Sequence, residues 1–186
     1  TGLQWRNLPP TFPKWTIVYY YFRRWTKDGT FELMNLYLGQ AERFSKGKEG
    51  DPSLVCIDSQ SVKSVPFVNQ DRGLDPYKKV NGRKRHVVVD TLGLVVGVLV
   101  RGANSSDTVQ GSQLMERYSH RWTRLCKVLV DAAYQGRFMT WVQQHTQAVV
   151  EIETPKAAAV VRRKLVIPVA AAVSEGSTAC SARSVT

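Results

Sequence analysis

Two short apolar runs that each lead into an aspartate constrain this chain more than any other feature of it. Leu54-Val55-Cys56-Ile57 precedes Asp58, and Cys126-Lys127-Val128-Leu129-Val130 precedes Asp131. Runs of four or five residues rich in β-branched side chains read as buried strands rather than helices. Each acid is expected where its strand runs out into a turn, Asp58-Ser59-Gln60-Ser61 and Asp131-Ala132-Ala133-Tyr134-Gln135-Gly136. One aspartate after a strand is an ordinary turn or cap residue. Two at matching places ask for a sheet that sets them side by side.

The pattern around these runs divides the chain into three zones. From Thr11 to about Lys27 the apolar residues Trp15, Val18, Tyr19, Phe22 and Trp25 recur at helical steps, with Thr11 as cap and Pro13 in the first turn. Asp28-Gly29 breaks this helix. Thr30 is expected to cap a second one whose Phe31, Met34, Tyr37 and Leu38 share a face. Two helices about a glycine turn permit a helix-turn-helix, although aromatic stripes at this spacing more often form core. A linker rich in Gly, Lys and Pro runs from Lys46 to Ser53, and the period then becomes extended.

After Leu54–Ile57 comes a polar insertion, Asn69 to Asn81, and then a hairpin of His86–Asp90 and Leu94–Val100 about Thr91-Leu92-Gly93. A helix from Asp107 to about Ser119, the run ending at Asp131, a helix from about Gly136 to His145 and a strand from Ala148 to Glu153 follow. The predicted order is strand, strand, strand, helix, strand, helix, strand. This is an α/β domain with the order of the RNase H-like mixed sheet: a three-stranded meander, a helix and a parallel strand, preceded by a small helical segment. The expected boundaries are 1–46 for that segment, 53–154 for the core and 155–186 for an irregular tail.

Charge narrows the partners. The chain has 26 Lys and Arg against 15 Asp and Glu, a net charge of +11, and such an excess favours a polyanion. It is densest at Lys78-Lys79-Val80-Asn81-Gly82-Arg83-Lys84-Arg85-His86, which with Lys63 is the candidate DNA-contacting set. No apolar stretch approaches the roughly 20 residues of a membrane span, and Cys56, Cys126 and Cys180 form no CxxC pair. A cytoplasmic, nucleoid-associated protein fits, with neither a membrane nor a disulfide framework.

Adjacent carboxylates repel, and a hard divalent cation such as Mg²⁺ or Mn²⁺ relieves the repulsion while binding phosphate oxygens. Two such ions about 3.5–4 Å apart would activate an attacking hydroxyl and stabilise the leaving oxygen of an in-line displacement. Asp58 and Asp131 are therefore the candidate catalytic and metal-binding residues.

Several blocks in sequence carry a resemblance. Asp58-Ser59-Gln60-Ser61-Val62-Lys63, Asn81-Gly82-Arg83-Lys84-Arg85-His86 leading to Val89-Asp90-Thr91-Leu92-Gly93-Leu94, Ala103-Asn104 with Asp107, and Val130 to Gly136 resemble the DDE transposases of bacterial insertion sequences, specifically the insertion-sequence-five group. Gly2 to Pro10 with Phe12-Pro13-Lys14-Trp15 resembles that group's accessory segment, so the likeness runs from about Thr1 to Glu153. It implies DNA transposition: two metal ions, cleavage by water at the element's terminal repeats, and attack of the freed 3′-hydroxyl on target DNA. Asp58 then matches the first acid and Asp131 the second. Asp90 and Asp107 read as structural, in a hairpin turn and at a helix start; His120 and His145 receive no role.

The family's third acid, a glutamate on a late helix beside a Val-Val-Glu-Arg type motif, finds no match. No aromatic residue follows Trp141, and Glu175, the last acid, lies among Ser174, Gly176 and Ser177. The tail reads as frameshifted or truncated, with Glu151 and Glu153 as strand residues and the start incomplete. On this reading a second metal binds poorly and the chain is inactive. The alternatives are a non-catalytic DNA-binding fragment that interferes with an intact transposase, by its DNA ends or by oligomer pairing, and a nonfunctional remnant.

Overall fold

The computed structural model describes residues 4–64 and 71–153. The tail expected over 155–186, with Glu175 and Cys180, lies outside the described residues.

A mixed six-stranded sheet organises the chain: β1 (Leu54–Lys63), β2 (Gly73–Asp75), β3 (Val80–Asp90), β4 (Val95–Gly102), β5 (Lys127–Val130) and β6 (Val149–Ile152). The central strand β1 pairs antiparallel with β3 and parallel with β5, and β5 pairs parallel with β6. Along its other edge β3 pairs antiparallel with both β2 and β4. The expected meander, helix and parallel strand are thus present as pairings, with β2 added inside the region read as a polar insertion.

Four helices complete the described chain: α1 (Trp15–Lys27), α2 (Thr30–Ser45), α3 (Asp107–Tyr118) and α4 (Arg137–His145). α3 and α4 pack on one face of the sheet, where Val55, Val88, Val128 and Val130 meet Leu114 and Phe138 in the main core. Each such side chain fully withdrawn from water contributes about 1.5–3 kcal/mol. Alternation sends Cys56, Val87 and Val89 to the opposite face, where a smaller apolar cluster forms. Among the described residues no helix is long and apolar enough to cross a membrane.

Four local expectations need correction. β1 does not stop at Asp58 but continues through Lys63, because β3 is long enough to pair it from Val55↔Asp90 to Lys63↔Gly82. The first helix begins at Trp15 rather than Thr11, since its first turn closes on the Lys14 carbonyl. Thr30 is the first residue of α2 rather than its cap: Asp28 accepts hydrogen bonds from both the Thr30 N–H and hydroxyl, and Gly29 takes the left-handed turn at φ 77°. Finally, Met34, Tyr37 and Leu38 are exposed, so that apolar face of α2 is not core within this chain. Periodicity marks a face as apolar without saying what covers it.

The helical segment is nevertheless joined to the sheet. Phe31 of α2 packs against Phe22 and Trp25 of α1 at ring separations of 5.7 and 5.8 Å. Asn35 donates to the Val95 carbonyl of β4, and Glu32 pairs with Arg117 and Arg121 at distances of 2.8 and 3.5 Å.

Candidate functional site

The parallel ladder between β1 and β5 ends at Ile57↔Val130, so the next residue on each strand is an acid: Asp58 on one, Asp131 on the other. Both are half-buried. Asp58 opposes Val87 and shares the sheet face of Cys56. Asp131 keeps an extended backbone (φ −81°, ψ 174°) and follows Leu129 by two residues, so the same alternation applies to it. Each carboxylate is oriented by its own chain: Asp58 Oδ1 accepts from the Ser59 N–H at 2.8 Å, and Asp131 Oδ1 from the Ala133 N–H at 3.0 Å. The second of these caps a short 3-10 turn, Ala132–Tyr134.

A third acid stands in the same row. β6 pairs with β5 through Val130↔Ile152, and Glu153 follows, its N–H donating to the Val130 carbonyl. Glu151, one pleat earlier, is exposed and paired with Lys127 at 2.8 Å. Among the described residues, however, no three His, Cys, Asp or Glu side chains come together closely enough to hold a metal ion. Asp58 and Asp131, next after the last pair of the β1–β5 ladder, are the carboxylates that could hold a cation between them. Two hard carboxylate groups suit Mg²⁺ or Mn²⁺, which complete their shells with water and phosphate oxygens rather than with an all-protein cage.

Strand alternation splits the basic run. Arg83 and Arg85 lie on the face of β3 that carries Val87 opposite Asp58; both are half-buried, and the Arg85 guanidinium donates to Gln60 at 2.7 Å. Lys84 and His86 point the other way and are buried, so neither presents a charge to solvent as the sequence led one to expect. Lys84 Nζ lies 3.3 Å from Asp107 and 3.9 Å from Asp75 and donates to the Ser105 carbonyl. Burial pushes His86 down to about 4 against the pull of Asp107, which keeps the imidazole uncharged at neutral pH. Lys63, Lys78 and Lys79 are exposed, and Lys78 Nζ lies 3.5 Å from the Ser59 carbonyl.

Lys84 and His86 instead belong to a polar layer beneath the acids. Ser61 donates to Asp75, whose carboxyl it holds below the usual range. His86 Nδ1 lies 3.8 Å from Asp107 and 3.2 Å from the Tyr134 hydroxyl. Burial, reinforced by Asp107, Asp131 and Asp58, raises the Tyr134 phenol well above its ordinary value, so it stays protonated. Asp107 does open α3, but its carboxylate serves Lys84 and His86 rather than capping the helix. Sequence reasoning missed Ser59, Asp75 and Tyr134. The available signal for Tyr134 was a bulky apolar ring in a turn between Ala133 and Gln135, where a polar residue is the usual choice.

Comparisons with known proteins bear on residues beyond this pair. Residues 49–173 match the model of a family described as the transposase DDE domain. Residues 1–35 match a second family, a transposase of the IS4/5 family. The first match runs on to residue 173, past Glu153, where the resemblance read from the residues stops. No curated protein matches the chain. Two solved structures are similar over part of it. One is the cryo-EM structure of the simian T-cell lymphotropic virus intasome in complex with the PP2A regulatory subunit B56 gamma: 15% identity, TM-score 0.42, covering 61% of this chain and 37% of that one. The other is the cryo-EM structure of a piggyBac transposase synaptic complex with hairpin DNA: 15% identity, TM-score 0.38, covering 63% of this chain and 27% of that one. The chain therefore spans about a third of the length of either.

Proposed function

Because this chain belongs to the transposase DDE domain family, with an IS4/5-family transposase segment ahead of that domain, we propose that it is the transposase of a bacterial insertion sequence, built on an RNase H-like core. The observation that carries the reading is the register of β1 and β5, in which Asp58 and Asp131 are the residues next after the last pair, Ile57↔Val130.

In this reading Asp58 and Asp131 together hold a divalent cation, each steadied by one backbone N–H. Such an ion, when bound, polarises a phosphate and lowers the pKa of water beside it. Arg83 and Arg85, on the same sheet face as Asp58, contact DNA phosphates, with Lys63, Lys78 and Lys79 extending the track. The DNA would be the element's terminal repeats and its target. Two carboxylates suffice for one ion but not for a two-ion site. The chain then binds metal and DNA without completing strand cleavage, since among the described residues Glu153 does not join Asp58 and Asp131 in a metal-holding cluster. A chain of that kind would compete with an intact transposase for the same DNA ends.

The test is binding and cleavage of labelled DNA bearing the element's ends, with Mg²⁺ or Mn²⁺, for the full chain and for Asp58→Asn and Asp131→Asn. The expected outcome is salt-dependent DNA binding, Mn²⁺ binding that either substitution abolishes, and no nicking. Metal-dependent nicking lost in both variants would overturn the inactivity and keep the transposase. Absence of both metal and DNA binding would sink the whole reading.

A further inference from the structure

Tyr77, in the loop of residues 76–79 between β2 and β3, is 95% exposed. Among the exposed large apolar side chains of the described residues none is as open, the next being Leu38 at 67%. The loop itself is held firmly. Asp75↔Val80, the last pair of β2 and β3, closes it, and the buried Asp75 turns its carboxylate into it: Oδ1 accepts the N–H groups of Tyr77 and Lys78 at 3.0 and 3.1 Å. The other oxygen, Oδ2, receives the Ser61 hydroxyl of β1 and lies 3.9 Å from Lys84 Nζ. Lys78 Nζ lies 3.5 Å from the Ser59 carbonyl, a second tie to β1, and Lys79 takes a left-handed backbone with φ 51°.

A turn residue is ordinarily small or polar, chosen for its φ or for its hydrogen bonds to the backbone. Here Asp75 meets those needs, and Tyr77 adds a ring that the described chain leaves almost bare. Lys78 and Lys79 beside it are exposed, and no acid stands between residues 76 and 86. A flat ring next to cations on a fixed backbone matches nucleic acid: the cations meet phosphates while the ring lies on the face of a base. A tyrosine, with two side-chain torsions, loses little freedom in such a contact. Bases inside a duplex are already stacked on both sides, so the ring can lie flat only on a base that is unpaired or at a strand end.

We propose that Tyr77 is a base-stacking contact for DNA with unpaired bases, carried on the loop that Asp75 pins, with Lys78 and Lys79 holding the adjoining phosphates. This contact rests on the DNA-binding reading given above and adds a preference that the cations alone would not give. Cations bind paired and unpaired strands alike, whereas the ring acts only where a base face is open. Ser61, which anchors Asp75, alternates with Asp58 and so lies on the opposite face of β1. The contact is therefore made to DNA flanking the two acids, not to a phosphate between them.

Two labelled DNAs test it with the full chain: a blunt duplex, and the same duplex carrying a single-stranded oligothymidine tail. Fluorescence anisotropy over a salt series gives the affinity of each for the unsubstituted protein, Tyr77→Ala, Tyr77→Phe and Lys79→Gln. So exposed a ring carries no packing, and thermal unfolding of both Tyr77 variants should match that of the unsubstituted chain. Tyr77→Ala is expected to bind the tailed DNA about tenfold more weakly, with its affinity for the blunt duplex and both salt slopes unchanged. Tyr77→Phe, which keeps the ring face, should bind as the unsubstituted chain does. Lys79→Gln should weaken binding to both DNAs and lower the salt slope by about one. Unaltered affinity of Tyr77→Ala for the tailed DNA would overturn the stacking role, as would an equal loss on the two DNAs or a loss that Tyr77→Phe shares. In each of those outcomes binding of the blunt duplex by the unsubstituted chain would leave the DNA-binding reading standing. If the unsubstituted chain binds neither DNA, that reading and the stacking contact fall together.

Discussion

Arg43, near the C-terminal end of α2, is ion-paired with Asp90 at the end of β3, and both side chains are buried. The guanidinium also donates to the Glu49 and Asp51 carbonyls, while Asp90 accepts the Leu92 and Leu94 N–H groups of the hairpin turn. This pair ties the helical segment and the linker after it to the sheet. The arrangement implies that Asp90→Ala, which strands a buried guanidinium and two turn amides, costs about 3–5 kcal/mol. Urea unfolding of the variant checks this. Replacing both partners, as Arg43→Met with Asp90→Leu, should recover part of the loss; a double variant no better than the single one would contradict the assignment.

Neighbouring residues Lys84 and Arg85 should behave in opposite ways. Arg85→Ala and Arg83→Ala are expected to weaken DNA binding and to reduce the salt slope by about one each, with stability nearly unchanged. Lys84→Ala leaves Asp107 and Asp75 without their buried cation and should lower stability instead. Fluorescence anisotropy over a salt series, paired with thermal unfolding, separates the two. Equal salt slopes in Lys84→Ala and Arg85→Ala would contradict the alternation argument.

Gly111 of α3 touches the Tyr134 ring so closely that Gly111→Ala places a methyl group 2.7 Å from it. Helix propensity alone would favour alanine by up to about 1 kcal/mol. Overpacking against a ring held by Phe138 works against this, at about 1–3 kcal/mol. Net destabilisation in a denaturant melt is the expected result, and a more stable Gly111→Ala variant would show that the ring can move.

Acid should weaken the fold through His86. Its folded pKa is pushed down to about 4 from 6.5, chiefly by burial. Between these values the unfolded chain binds a proton that the folded chain does not. Stability is therefore lost as pH falls from 6.5 towards 4, by up to about 3 kcal/mol, and this group contributes nothing further below that. Urea midpoints at pH 7.5, 5.5 and 4.5 should decline in that order, and His86→Gln should flatten the decline. An equal slope in that variant would place the sensitivity elsewhere.

Much of the sheet was legible along the chain. The apolar runs before Asp58 and Asp131, the hairpin about Thr91-Leu92-Gly93 and the helix opening at Asp107 all appear, because each depends on a short-range pattern: β-branched runs, a glycine turn with φ of 81° at Gly93, a helical period. Extents were less legible. β1 runs on through Ser59-Gln60-Ser61, residues that look like a turn, because β3 supplies partners for all of them. The same strand pairing made the basic run misleading, since consecutive cations on a strand face opposite sides and composition cannot say which side is the inside.

The sequence by itself determined the alternation of apolar strands and amphipathic helices, the two acids at matching strand positions and the excess of positive charge, since all are properties of residue order and type. Only the tertiary structure decided that β1 and β5 are neighbours in a register that brings Asp58 level with Asp131, that Lys84 and His86 turn inward while Arg83 and Arg85 share the acid's face, and that Tyr134 meets His86. These contacts join residues dozens of positions apart. They arise where strands from distant parts of the chain pair and α3 and α4 close one face, and no local pattern specifies which distant side chain will stand opposite.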